Sequence, residues 1–212
     1  MNEEELALLI ERTVRDTLER KPTDEIPIGV SNRHVHLSPE AVERLFGSKD
    51  ALTKLKDLSQ PGQFACNETV TLIGPKGRIE RVRILGPARG DTQVEISLFD
   101  GFTLGIAPPI RDSGDIAGTP GLVLQGPRGQ LTIGQGVICA ARHIHMHPAD
   151  AEAFGVRNGQ RVSVRVGGPR ALTMDNVLIR VSEKYRLEMH IDLDEANAGR
   201  IRTGQIGVLL QS

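Results

Sequence analysis

Two stretches, NRHVHLSPEAV (residues 32–42) and ARHIHMHPADA (residues 141–151), hold five of the six histidines in this 212-residue chain. Each reads R-H-[VI]-H, then a proline, then a short run closing on Phe-Gly, at an offset of 109 residues from His34 to His143. The pattern repeats again further on, where QVEISLFD (residues 93–100) lies against EMHIDLDE (residues 188–195), with Glu95 opposite His190. A repeat of this kind points to two related lobes. Short Val-, Ile- and Thr-rich runs punctuated by glycine turns surround both copies and make the chain mainly β.

Strands are expected at IGVSNRHVHL (28–37), ETVTLIG (68–74), RIERVRILG (78–86), TQVEISL (92–98) and FTLGIA (102–107). A second set is expected at GVICAARHIHM (136–146), RVSVRV (161–166), NVLIRV (176–181), RLEMHIDL (186–193) and QIGVLLQ (205–211). Helices follow each histidine stretch, SPEAVERLFG (38–47) and HPADAEAFG (147–155), with Pro in the first turn and Gly past the last. A third short helix is expected at DEANAG (194–199). The predicted architecture is two small β-barrel lobes with capping helices, since closure protects sheet edges. The lobes span residues 26–118 and 119–212, with the boundary in the Gly- and Pro-rich stretch 114–129. Ahead of them, residues 1–25 form an amphipathic helix and a Pro-containing linker. Leu6, Leu9, Ile10, Val14 and Leu18 make one apolar stripe, with glutamates first and Arg20-Lys21 last.

Bulk composition excludes several functions. A net charge of −1 offers no field for nucleic acid or an anionic membrane, and five Phe, one Tyr and no Trp leave no base-stacking platform. No segment approaches the ~18 apolar residues of a membrane span. The acidic N-terminus is unlike a secretory signal, and two cysteines, Cys66 and Cys139, imply no disulfide framework, as in a reducing cytosol.

The chemistry is in the histidines. Residues i and i+2 of a strand share a face, so His34 and His36 project together, as do His143 and His145. Two such imidazoles chelate a divalent metal, and the aligned residues Glu95 and His190 supply a third ligand to each pair. His-His-Glu and His-His-His both leave coordination positions open, the pattern of a catalytic zinc site. His147 is also in phase and competes with His190. Its counterpart is Ser38, before a proline, which favours a helix cap. Cys139 has no cysteine counterpart and reads as core. Cys66 reads as core or loop. Arg33 and Arg142 point to the opposite strand face and read as salt-bridge partners. Arg89, in the turn LGPARGDTQVE, suits an anion through bidentate guanidinium contacts. Arg83 and Lys56 are further cations.

GVSNRHVHLS, GPARGDTQVEIS and ARHIHM together resemble the phosphate propanoyltransferase family (PduL-type phosphate acyltransferases), from about Ile26 to the C-terminus. The resemblance implies paired β-barrels around a two-zinc site and transfer of a propanoyl or acetyl group between coenzyme A and inorganic phosphate, as in propanediol degradation. Carried over, His34, His36 and Glu95 hold one metal, His143, His145 and His190 the other, and Arg89 binds phosphate. Gln60, Gln63, Gln93, Ser113 and Arg180 resemble the rest of the substrate pocket. Ser31, Lys56, Arg83, Leu85, Phe102 and Asn197 would follow the coenzyme. The family also implies a bacterial cytoplasmic location, within a microcompartment when a short N-terminal amphipathic peptide contacts shell or lumen proteins; residues 1–20 look like such a peptide. The apolar stripe also makes homo-oligomerisation an expectation. The competing reading is a two-metal hydrolase of a phosphoester or amide, or a metal-dependent shell-associated protein without turnover.

Overall fold

The computed structural model describes residues 24–210. In chain order it has β1 (Glu25–Ser31), β2 (His34–His36), α1 (Pro39–Phe46), β3 (Lys54–Asp57), β4 (Phe64–Ile73), β5 (Arg78–Gly86), β6 (Gln93–Glu95), α2 (Leu98–Leu104) and β7 (Ile110–Arg111). There follow β8 (Leu122–Gln125), β9 (Gln130–Ile133), β10 (Val137–Ala140), β11 (His143–Met146), α3 (Pro148–Phe154), β12 (Arg161–Val166), β13 (Leu172–Val181), β14 (Glu188–Asp192), α4 (Leu193–Gly199) and β15 (Ile206–Leu210).

Six strands, in the order β1-β14-β11-β13-β12-β15, close into a barrel, while the other nine form a curled, open sheet, β7-β10-β6-β2-β5-β4-β8-β9 with β3 on β4. The barrel buries Ile26, Ile28, Ile144, Met146, Val164, Val177, Ile179 and Met189. The open sheet buries Val35, Leu37, Leu72, Val82, Ile84, Val94 and Leu124, with Val42 and Leu45 of α1 laid against them. Each apolar set alternates with outward polar residues, the signature of a sheet covered on one face.

The strands do not sort at the boundary expected between residues 118 and 119. β1 belongs to the C-terminal barrel, where it pairs parallel with β14 (Ile28 opposite Met189) and antiparallel with β15 (Ile26 opposite Gly207). β8, β9 and β10 pair within the other sheet. The long strands expected at 28–37 and 136–146 are therefore broken. At Asn32-Arg33 the chain crosses from barrel to sheet, and at Ala141-Arg142 it crosses back. The exchange covers the edges that β14 and β15 would otherwise expose. It also brings the two crossings, each followed by a histidine pair, to one place.

Local chemistry sets the helices. Ser38 caps α1, its Oγ accepting from Ala41 N–H, and Pro39 starts the helix. His147 caps α3, its Nδ1 accepting from Ala149 N–H at 3.2 Å. Gly47, with φ of 88°, ends α1 in the left-handed region that a side chain disfavours. FTLGIA, expected as a strand, forms none: residues 102–104 end α2 and Gly105 caps it. Ser97 Oγ accepts from Asp100 N–H and the Asp100 carboxylate accepts from Ser97 N–H, a capping box that starts a helix before the β-prone residues can pair. The helix expected at residues 3–20 lies outside the described residues. Among the described residues no helix is long and apolar enough to cross a membrane.

Candidate active site

β2 runs antiparallel to β6 with His34 opposite Glu95 and His36 opposite Gln93. His34 Nε2 lies 3.4 Å from Glu95 Oε2, and His36 Nε2 lies 3.9 Å from Glu95 Oε1. One donor atom from each of these residues falls within 4.8 Å of the others. His34 Nδ1 donates to the Asn32 carbonyl at 2.8 Å, which leaves the Nε2 lone pair facing the carboxylate and the space beyond it. Glu95 Oε1 accepts from Gln93 Nε2 at 2.6 Å and Ser113 Oγ at 2.8 Å, so two of the polar residues expected in the pocket orient this carboxylate. Burial, then the His34 charge, push His36 down to about 3. Burial also works against charge on His34, but Glu95 outweighs it and raises His34. Burial would raise Glu95, yet His34, His36 and Ser113 hold it well below the usual carboxylate range.

β11 and β14 repeat this register, with His143 opposite His190 and His145 opposite Glu188. His143 Nδ1 donates to the Ala141 carbonyl at 2.8 Å, the counterpart of the His34 contact. The three rings are close, with centroids 4.7 Å (His143–His145), 5.2 Å (His143–His190) and 4.9 Å (His145–His190) apart. His143 and His190 stack at 9° between planes, so their nitrogens do not converge as in the first triad. His145 Nδ1 and His190 Nε2 are buried without a hydrogen-bond partner among the described residues. His190 Nε2 is 3.0 Å from Glu188 Oε2, a close approach without the alignment of a hydrogen bond. Burial, then its histidine neighbours, push His143 down to about 4 and His145 to about 2.

Glu188 was not expected at the site. It lies two residues before His190 on one strand, so the same period-two rule that paired the histidines could have found it. Its Oε2 accepts from Ser59 Oγ. Gly29 makes room for it: a Cβ there would sit 2.9 Å from the Glu188 carboxyl.

Both triads line one cleft of about 660 Å³. Its wall includes Arg89, Arg180, Gln60, Gln63 and Ser113, together with Ser31, Lys56, Arg83 and Leu85. The Arg89 main chain is pinned by a bond from its N–H to Leu37 O at 2.9 Å. Among the described residues neither the Arg89 nor the Arg180 guanidinium forms a hydrogen bond or an ion pair; Arg180 stands 6.0 Å from the Tyr185 ring centre. Burial lowers Arg89 from its usual value, Glu95 opposes this, and Arg180 adds to it, which places both cations in one electrostatic neighbourhood. Arg83 donates through Nη1 to the Cys66 and Asn67 carbonyls at 2.8 and 2.9 Å. Gln60 bridges the cleft walls, exchanging two hydrogen bonds with the Arg186 main chain. Gln93 sits behind Glu95 rather than in the wall. Phe102, 81% exposed on α2, and Asn197, exposed on α4, do not line the cleft. Cys66 and Cys139 are buried, and neither lines the cleft. Burial first, then Glu68, push the Cys66 thiol up to about 11, and burial and Asp192 raise Cys139.

Six nitrogen and carboxylate donors, two of them orphaned buried nitrogens, with neutral imidazoles favoured at His36, His143 and His145, suit divalent metal ions. The first triad meets the distance requirement as it stands. The second has the donors but needs a rotation of its stacked rings.

The sequence matches a family model described as phosphate propanoyltransferase over residues 27–202. A phosphate propanoyltransferase of Thermotoga maritima is 55% identical over 94% of this chain and 95% of its own. One from Priestia megaterium is 53% identical over 99% and 97%, and one from Alkaliphilus metalliredigens 47% identical over the whole of both chains. With matches of this extent covering both histidine copies and the cleft they line, the chain belongs to the phosphate propanoyltransferase family.

Proposed function

We propose that this protein exchanges a short acyl group, propanoyl or acetyl, between coenzyme A and inorganic phosphate: acyl-CoA + phosphate = acyl phosphate + CoA. The observation that carries this reading is the convergence of two histidine-rich triads and two guanidiniums, unpaired among the described residues, on one cleft that neither cysteine lines. His34, His36 and Glu95 would hold one zinc ion, and His143, His145 and His190 a second. When bound, such ions supply Lewis acidity and stabilise a thiolate.

The remaining work falls to side chains. Arg89 and Arg180 hold the phosphate and neutralise its charge, which leaves one of its oxygens free to attack the thioester carbonyl. The C–S bond breaks as the C–O bond forms, and the coenzyme departs as thiolate. Gln60 and Gln63 close the wall around the acyl group and limit water, which would otherwise compete with phosphate. Lys56 and Arg83 face the anionic part of the coenzyme beside Ser31 and Leu85. Phe102 and Asn197, exposed outside the cleft, remain for its distal end, where Phe102 offers a stacking face. Catalysis in this scheme is positioning plus charge stabilisation. Residues 1–20 would serve as the peptide that places the enzyme in a microcompartment.

The test combines metal analysis with a thiol assay. Protein incubated with propanoyl-CoA should release free thiol only when phosphate is present, and should contain two metal equivalents. Thiol release that ignores phosphate would instead establish a hydrolase. Bound metal without any turnover would establish a binding protein. Arg89→Ala should cut phosphate-dependent turnover roughly a hundred-fold, as loss of one preorganised donor does elsewhere, with metal content unchanged; unchanged turnover removes Arg89 from the mechanism.

A further inference from the structure

Each triad has an ion pair behind it, and the two ion pairs occupy equivalent places in the repeat. Arg33, one residue before His34, reaches Asp100 with Nε–Oδ2 at 2.8 Å and Nη2–Oδ1 at 2.7 Å. Arg142, one residue before His143, reaches Glu195 through one contact, Nη1–Oε1 at 3.2 Å. Asp100 and Glu195 are not simple surface acids. Each is the third residue of a helix and half of a capping box, so each also accepts the N–H of the capping residue, Ser97 or Asp192. Those capping residues stand two positions after Glu95 and His190, the third members of the two triads.

The chain is thereby fastened at both ends of each ligand set. On one side the crossing residue next to the first histidine is held. On the other, the turn that follows the third ligand is held to the same carboxylate. A strand pair three residues long, such as β2 against β6, has little ladder of its own to resist slipping. Two crossings between sheets make the demand greater. The fastening differs between copies: Asp100 is 3% exposed and bound in a two-point fork, whereas Arg142–Glu195 is a single contact between half-buried side chains.

We propose that Arg33–Asp100 and Arg142–Glu195 are positioning pairs, each setting the spacing between the first and third ligands of its own metal triad, with the first pair the stronger. This rests on the two-metal reading above. It assigns these four residues a role in metal affinity that no contact with substrate would suggest.

The probe is cobalt(II) alone, added to the full-length protein after metal removal and followed by visible absorption and by competition with a chromophoric chelator. Wild type should take up two equivalents. Arg33→Lys keeps the charge but loses the fork; it should weaken one equivalent about ten-fold and change that equivalent's absorption, leaving the other alone. Arg142→Lys should weaken the other equivalent by a smaller factor, about three-fold. Asp100→Asn, whose amide oxygen still accepts the Ser97 N–H, should reproduce Arg33→Lys and serves in its place if that variant does not fold. The Arg33→Lys/Asp100→Asn double variant should be no worse than either single one, because both act through one pair. The inference is overturned if the variants leave both affinities and both spectra unmoved, or if they weaken both equivalents together in step with a fall in thermal stability. A wild type that binds no cobalt defeats the metal reading and this inference together. Two bound equivalents with unmoved variants defeat the inference alone.

Discussion

The two triads are built on the same register, yet one is drawn together and the other is not. His34 and His36 share an anion, and Glu95 brings their nitrogens to 3.4 and 3.9 Å from its oxygens. His143, His145 and His190 have no such centre among themselves. His143 and His190 stack instead, and Glu188 contacts His190 rather than bridging the set. One substitution at an equivalent position, Glu95 against His190, thus separates a preorganised site from one that an ion has to organise. With a divalent ion at each, Glu95 would neutralise one charge at the first site and nothing would do so at the second, so in the proposed reaction the second ion would be the stronger attractor of phosphate.

This contrast is broken most severely at Glu95. Glu95→Ala removes the anion that both histidines face, and should lower affinity for one metal equivalent at least about a hundred-fold. The other equivalent should be retained, as metal analysis of the purified variant would show. Loss of both equivalents would mean that the two centres do not assemble independently.

Acid response of the metal-free protein sharpens the same contrast. His143 and His145 are held near about 4 and about 2 in the folded chain, below the ordinary histidine value, so the unfolded chain binds more protons as the pH falls through that value. Their contribution to stability is therefore present above about pH 6.5 and lost as acid is added. His34 is raised, and its contribution has the opposite sign: present at low pH and lost as the pH rises through its folded value. Melting temperature measured from pH 7.5 to 5 should fall for metal-free wild type. His145→Gln should flatten that fall, and His34→Gln should steepen it.

A smaller difference is expected behind the triads. Removing Asp100 leaves Arg33 without its fork and should cost about 2 kcal/mol, and removing Glu195 about 1 kcal/mol, because the second pair is a single, half-buried contact. Urea unfolding of Asp100→Ala and Glu195→Ala measures both. The smallest effect is at the helix caps. Ser38→Ala should cost about 1 kcal/mol, whereas His147→Ser should be neutral or stabilising by a few tenths, since serine is the better cap for the same N–H.

Much of the cleft was legible locally. The period of two put His34 with His36 and His143 with His145, and the repeat supplied Glu95 and His190; all six line one cavity. His147 was legible as a cap because a proline follows it. β-propensity makes FTLGIA look like a strand, although the repeat holds the correction: LFDGFTL aligns with LDEANAG, which contains the expected helix DEANAG. The capping pair Ser97 and Asp100 outweighs the propensity of the residues that follow it. Glu188 was overlooked because glutamate two residues from a histidine in a strand is ordinary. What gives it significance is Ser59, 129 residues away, and the empty space above Gly29.

The sequence by itself determined the β class, the duplication, the capped helices after each histidine pair, and the six histidine and glutamate side chains of the two triads that share the cleft. These are consequences of local periodicity and of comparison between copies. Only the tertiary structure decided which sheet each strand joins. In IGVSNRHVHL the apolar residues shift from even positions (Ile28, Val30) to odd ones (Val35, Leu37) across Asn32-Arg33, and in GVICAARHIHM the apolar run 137–141 hides any such shift; neither pattern says which sheet the two halves join. That choice depends on edges offered by β14 and β15, more than 150 residues from β1, and on the ion pairs that hold each crossing. Pairing of distant edges is a property of the assembled chain, and no window of sequence carries it.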